Sequence, residues 1–346
     1  MKRFLAAAAS LLMILLFLPV VSARADSPCL GYIDIPDHNR IYGTEDGETL
    51  RGTPGDDLID ARGGADRIYG RGGNDVICGG SGADQIWGGP GPDSVLGMGG
   101  NDEIFGEGGN DSVVGNGDDD LIEGGTGRDT VVGHSGDDSL DGGEGNDIVS
   151  GRAGTDEVVG GPGRNHMDGS EGDDTLIGGD EVDVIAGGPG LDVVDGGGGD
   201  DRLYGNGQSS SNNDDDQITG GDGNDRIYAH GGDDIVDAGA GDDQIEAAGG
   251  DDYVRGGDGN DTITGDEGVD EIYGDAGDDE VDAGPGDDIL FGGVGNDFLH
   301  AFDEGADQLF GEDGDDSLEG DSADILDGGP GTDSCSKSGA TTVECE

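Results

Sequence analysis

The stretch from Gly52 to Tyr204 opens GTPGDDLID ARGGADRIY GRGGNDVIC GGSGADQIW and holds the same register through seventeen consecutive units of nine residues. A second uninterrupted block of nine units runs from Gly220 to His300, and single units stand at Gly311 to Glu319 and Gly328 to Ser336. Of these 28 full units, 26 carry Gly at position four, 27 carry Asp at position six and all 28 carry an apolar residue at position eight. The competing reading is a glycine-rich, acidic, disordered segment of low complexity. Disorder, however, does not demand an aliphatic residue at every ninth position.

Position eight is Ile, Val or Leu in 26 units and otherwise Met167 or Cys335. One inward apolar residue per nine suits a very short strand. Positions one to six are rich in Gly, Asn and Asp, which tolerate positive φ and tight turns, so each unit reads as a turn followed by a three-residue strand. Two units then close one coil of 18 residues. Successive coils stack as parallel strands about 4.8 Å apart, each too thin to bury its apolar residue alone.

Position six carries the chemistry, because units two apart fall on the same edge of the stack. One column is Asp57, Asp75, Asp93, Asp111, Asp129, Asp147, Asp183, Asp201, Asp225, Asp243, Asp261, Asp279, Asp297, Asp316 and Asp333. The other is Asp66, Asp84, Asp102, Asp120, Asp138, Asp156, Asp174, Asp192, Asp216, Asp234, Asp252, Asp270, Asp288, Asp307 and Asp324. Carboxylates at strand spacing repel one another severely unless cations lie between them. Carboxylates with turn carbonyls are hard oxygen ligands, which favour calcium over zinc or copper, and glycine lets the carbonyls converge.

The pattern resembles the hemolysin-type nonapeptide GGxGxDxUx, the RTX (repeats-in-toxin) calcium-binding repeat, a known β-helix repeat. Units such as GGSGADQIW from Gly79 and GGDGNDRIY from Gly220 match it at every specified position. The resemblance implies an all-β, right-handed parallel β-roll or β-solenoid of stacked nonapeptide turns. It also implies multiple Ca2+ ions, each held by turn carbonyls and the aspartates of two stacked turns.

The charge fits that expectation. With 81 acidic and 15 basic residues, a formal net charge of −66 and 4% aromatic residues, the chain buries too little apolar surface to offset conformational entropy. Divalent ions in the gaps between stacked turns would remove most of the repulsion. Without metal, a disordered chain is expected. Nucleic acid is excluded as a partner, since its phosphates would meet the same carboxylates.

Residues 1–25 read as a signal peptide, with Lys2 and Arg3, an apolar run from Phe4 to Leu18 and the small-residue site Ala23-Arg24-Ala25. An uncleaved anchor is the competing reading. With the signal removed no membrane span is expected, and the chain is read as secreted and extracellular. Residues 26–51 are expected to form an N-terminal cap over the first coil, with Glu48 and Leu50 in a decayed unit. Residues 52–336 are the repeats and residues 337–346 a C-terminal tail.

Four cysteines in an exported chain point to two disulfides. Roughly fifteen coils at about 4.8 Å separate the ends by roughly 70 Å, so the expected pairs are Cys29 with Cys78 and Cys335 with Cys345.

Several units depart from the pattern. Asn165 replaces the aspartate, and Glu181 and Asp118 replace the position-four glycine. A neutral ligand or a crowded turn should weaken a site, so the gap between Asn165 and Asp183 is expected to lose calcium first. Gly205 to Thr219 is one unit with extra residues, QSSSNNDDD being its polar part, expected to bulge from a turn rather than hinge two domains. At position nine, Tyr69, Trp87 and Phe105 should lie on adjacent rungs, as should Tyr273, Phe291 and Phe310 on the same face. Such rows serve either as stacked strand pairs or as docking stripes for a cell-surface glycan or protein.

No catalytic constellation accompanies the array. His38, His134, His166, His230 and His300 lack HExxH spacing, and no serine lies in GxSxG. The chain therefore reads as a non-enzymatic, secreted calcium-binding repeat protein in which calcium is structural, an extracellular rod or adhesin-like module. Calcium storage or a mineral-binding acidic surface is the alternative, and an enzyme accessory or toxin-like module a weaker one.

Overall fold

The computed structural model describes residues 38–207, 213–302, 305–338 and 345. They belong to one compact unit, Asp37–Glu346; the other unit, Met1–Pro36, lies outside the described residues, and with it the expected signal peptide.

Among the described residues, thirty-three short strands, from Asn39–Tyr42 to Ser334–Lys337, alternate between a 17-stranded and a 16-stranded sheet. Every pairing is parallel, and in the regular units the partners lie 18 residues apart, as in Ile77 with Val95 and Ile86 with Ile104. The chain is an all-β parallel β-solenoid, and the described residues contain no helix. Its core is the stack of position-eight side chains. Leu50, Ile59, Ile68 and Ile77 begin it, Met167 continues it with no exposure, and Leu318 and Leu326 end it. Alanines at position one, such as Ala61, Ala229 and Ala283, complete the packing.

Most strands exceed the expected three residues. Val76–Ser81 and Glu103–Gly109 run on from position seven into the next turn. In-register stacking is the reason: Gly80 and Ser81 pair with Met98 and Gly99 one coil on, so turn backbone as well as strand backbone finds partners there.

Within the segment expected as a cap, Asn39–Tyr42 pairs with Asp57–Asp60 and Thr49–Arg51 with Arg67–Tyr69, so these residues form the first coil. Across the long unit both sheets stay continuous, with Val193 beside Gln217 and Arg202 beside Arg226. The register is thus kept across the unit, whose residues 208–212 lie outside the described residues. Cys335 and Cys345 form a disulfide with Cα atoms 5.7 Å apart. Cys78, fully buried, is also disulfide-bonded, and its expected partner Cys29 lies outside the described residues.

Candidate metal centres

Position six is where each turn enters its strand, and both aspartate columns form in the predicted order. The structure adds that the columns are buried. Every member from Asp57 to Asp324 is at most 3% exposed, and only the last, Asp333, is partly exposed.

Burial is possible because each carboxylate is tied to the coil before it. The N–H of Asp75 donates to Oδ1 of Asp93 at 2.7 Å, and that of Asp84 to Oδ1 of Asp102 at 2.8 Å. One chain of such bonds starts at Asn39, whose Nδ2 donates to Asp57 Oδ1, and reaches Asp333; the other runs from the Glu48 N–H to Asp324. The aspartate carbonyl accepts in turn from the next strand, as from Ser94 N–H to Asp75 O at 2.8 Å.

The second carboxylate oxygen is different. Oδ2 of Asp75, Asp84, Asp93, Asp102 and most other members is buried with no hydrogen-bond partner. Loss of water raises these carboxyl pKa values, to about 6 at Asp75, about 7 at Asp93 and about 8 at Asp102 and Asp192. The N–H bond opposes the rise, and neighbouring carboxylates of the column add to it. A row of buried, donor-less oxygens is costly unless something positive meets it.

Asn165 shows what surrounds that oxygen. A Cβ on Gly160 would lie 2.7 Å from Asn165 Nδ2, as one on Gly70 would lie 2.5 Å from Asp75 Oδ2, so the amide nitrogen sits where the carboxylate oxygen sits elsewhere. From there Nδ2 donates to Gly161 O at 2.9 Å and Gly163 O at 3.2 Å. In an aspartate unit the same place holds an oxygen facing the carbonyls of positions two and four. That oxygen-only donor set suits a hard cation such as calcium. Among the described residues no three acidic, imidazole or thiolate side chains gather at one point, so backbone carbonyls must complete any such site.

The family model described as RTX calcium-binding nonapeptide repeat (4 copies) matches residues 42–77, 79–113, 114–149, 150–185, 177–209, 210–245, 246–281, 264–299 and 303–335. The chain belongs to this family. No curated protein matches it. Among solved structures it is similar to the X-ray crystal structure of a hyperactive, Ca2+-dependent, β-helical antifreeze protein from an Antarctic bacterium. The identity is 19%, over 78% of this chain and 85% of that one, with a TM-score of 0.31.

Three features of these RTX repeats escape the consensus. Position two is left-handed in most units even where it is not glycine, as at His134 (φ 89°) and Arg152 (φ 91°), which pair on adjacent rungs. Position five builds a second ladder on the exposed surface with the opposite direction: Asn74 N–H donates back to Asp56 Oδ1 at 2.8 Å, and Asp251 N–H to Asp233 Oδ1 at 2.9 Å. The recurring Asn or Asp before the position-six Asp was its sequence signal. Third, acids at position four reach the preceding turn rather than crowd their own. Asp118 accepts from Gly100 N–H and Glu181 from Gly163 N–H, both at 2.9 Å.

The aromatic rows form as expected. Tyr69, Trp87 and Phe105 stack with centroids 4.7 and 5.8 Å apart, and Tyr273, Phe291 and Phe310 at 4.7 and 5.1 Å. Near-parallel planes mean that the faces cover one another along the stack.

Proposed function

We propose that this RTX chain is a secreted structural element whose calcium ions hold the coils together, an extracellular rod or adhesin-like module without catalytic activity. The position-six aspartates from Asp57 to Asp333, Asp216 apart, are the side chains that would hold the ions, with position-two and position-four carbonyls. Bound calcium would supply the positive charge that the buried Oδ2 atoms lack. The chain's part is to pre-align the donors: the N–H bond to Oδ1 fixes each carboxylate, and the glycine turn aims the carbonyls.

The observation that carries this reading is the exchange at Asn165, where a donor group replaces the bare oxygen and immediately finds two carbonyls. The lack of catalysis is supported by the acidic pairs. In Asp56-Asp57 one carboxylate is exposed and holds Asn74 N–H while the other is buried in its column, so the two share no cleft. Secretion rests on the signal-like residues 1–25 and on the Cys335–Cys345 bond, which suits an oxidising compartment. The exposed position-five carboxylates favour a second reading, an acidic calcium-storing or mineral-binding surface.

Circular dichroism of the mature chain with and without calcium, together with the number of ions bound, tests the proposal. A β signal that appears with calcium and many ions per chain is expected. An ordered sheet that persists after exhaustive chelation at a pH where the column carboxyls are ionised would refute it. Binding to calcium mineral that is lost when position-five acids are neutralised, with the fold intact, would favour the storage reading.

A further inference from the structure

We infer that the solenoid carries two rungs near its middle, at Asn165 and Asp216, where a buried amide does the work of the cation and no calcium is taken up. This rests on the calcium-dependent reading above.

At Asn165, 3% exposed, Nδ2 occupies the Oδ2 place and satisfies Gly161 O and Gly163 O from within the chain. Oδ1 still accepts the Asp147 N–H at 3.0 Å, so the ladder is unbroken. Asp216 keeps its carboxylate, but Asn206, fully buried, brings an amide to it. Asn206 Nδ2 lies 3.2 Å from Asp216 Oδ2 and 3.3 Å from Gly231 O, while its own Oδ1 has no partner. Asp216 Oδ2 is accordingly absent from the row of bare oxygens that includes Asp192 and Asp234. An amide hydrogen placed among these oxygens meets their need for a donor, and its N–H would clash with a bound cation.

Both rungs are also stitched at position four. Gly163 N–H donates to Glu181 at 2.9 Å, and Gly190 N–H to Asp214 at 3.1 Å. Asn165 and Glu181, the departures that mark a weak calcium site in the sequence, therefore belong to a joint that needs no ion. Because stacked repeats stabilise their neighbours, such a joint is the place where order persists longest when calcium is withdrawn.

The test is bound calcium and residue-resolved hydrogen exchange on the full mature chain, wild type and Asn165→Asp, titrated with calcium chloride. At limiting calcium the wild-type amides of Asp147 and Asn165 should exchange at least tenfold more slowly than those of Asp93 and Asp111. Asn165→Asp should bind at least one more ion per chain and lose that excess protection. Equal exchange at the two places in wild type, or no additional ion in a folded Asn165→Asp chain, would overturn the inference. Should the variant fail to fold, the wild-type comparison alone decides. A wild type that binds no calcium would overturn the function proposed above, and this inference with it.

Discussion

The backbone N–H of Asp93 donates to Oδ1 of Asp111 at 2.8 Å, so a residue's carboxylate secures the coil before it rather than its own. Each position-six side chain thus has two separable tasks. Oδ1 closes a hydrogen bond, and the other atom faces the carbonyls of the turn.

Asp111→Asn and Asp111→Ala separate these tasks. The amide keeps an acceptor for Asp93 N–H and, by the precedent of Asn165, supplies a donor to the carbonyls. Alanine leaves a buried N–H unpaired, which costs about 1–3 kcal/mol. At saturating calcium the urea midpoint should fall clearly for the alanine variant and little for the asparagine variant, with bound calcium reduced in both. Equal midpoints would show that the ladder bond contributes nothing.

Glycine is required at position four more than at position one. Gly127 has φ 139°, and a Cβ there would lie 1.4 Å from Gly109 O, so Gly127→Ala must displace a coil as well as strain its backbone. Such strain alone is of order 1–3 kcal/mol. A Cβ on Gly220 would meet Ala238 O at 2.3 Å, but Ala238 itself, buried at the same position one coil on, shows that the stack opens enough for a methyl group. Thermal unfolding at fixed calcium should show a large loss for Gly127→Ala and a small one for Gly220→Ala; the reverse order would refute this account of the turn.

The stacked rings predict a stability effect without a binding effect. Trp87 lies between Tyr69 and Phe105, and Arg51 sits 4.9 Å over the Tyr69 ring. Trp87→Ala removes two ring contacts, each contributing about 0.5–1.5 kcal/mol beyond area burial. Hydrogen exchange in the first coils should quicken, while retention on polysaccharide resins should stay as in wild type. Lost retention by a normally protected variant would restore the docking stripe.

Much of this was legible in the sequence because the period is strict. A nine-residue register fixes the core residues, the two sheets, the 18-residue pairing and the membership of each aspartate column. What the register cannot disclose is the direction of a side chain. Asp56 and Asp57 are neighbours in one turn, yet the first is exposed and accepts from Asn74 N–H in the coil after it, while the second is buried and accepts from Asn39 in the coil before. Which donor the adjoining coil presents decides between them, and that is a property of the stack. Asn206 was hidden for another reason. It lies just before an inserted polar run, and only the fold shows that its amide enters the turn at Asp216.

In the absence of calcium, pH should govern whether the coils stack. Burial lifts the folded carboxyl pKa values to about 6 at Asp75, about 7 at Asp93 and about 8 at Asp102, against about 3.9 for an unfolded aspartate. Between these values the folded chain binds more protons than the unfolded one, so its stability falls as pH rises. Protonation also gives the bare oxygen a hydrogen to donate, which lets a proton replace the cation's charge. A calcium-depleted chain should therefore gain β signal as pH is lowered from about 8 towards 5, still above the sequence pI of 4.1 where aggregation intervenes. With calcium present, the same acidification should release ions, since protons and calcium compete for one oxygen. Far-UV circular dichroism and a calcium electrode read the two arms. Loss of the apo signal on acidification would mean that the buried carboxylates are not what opposes folding.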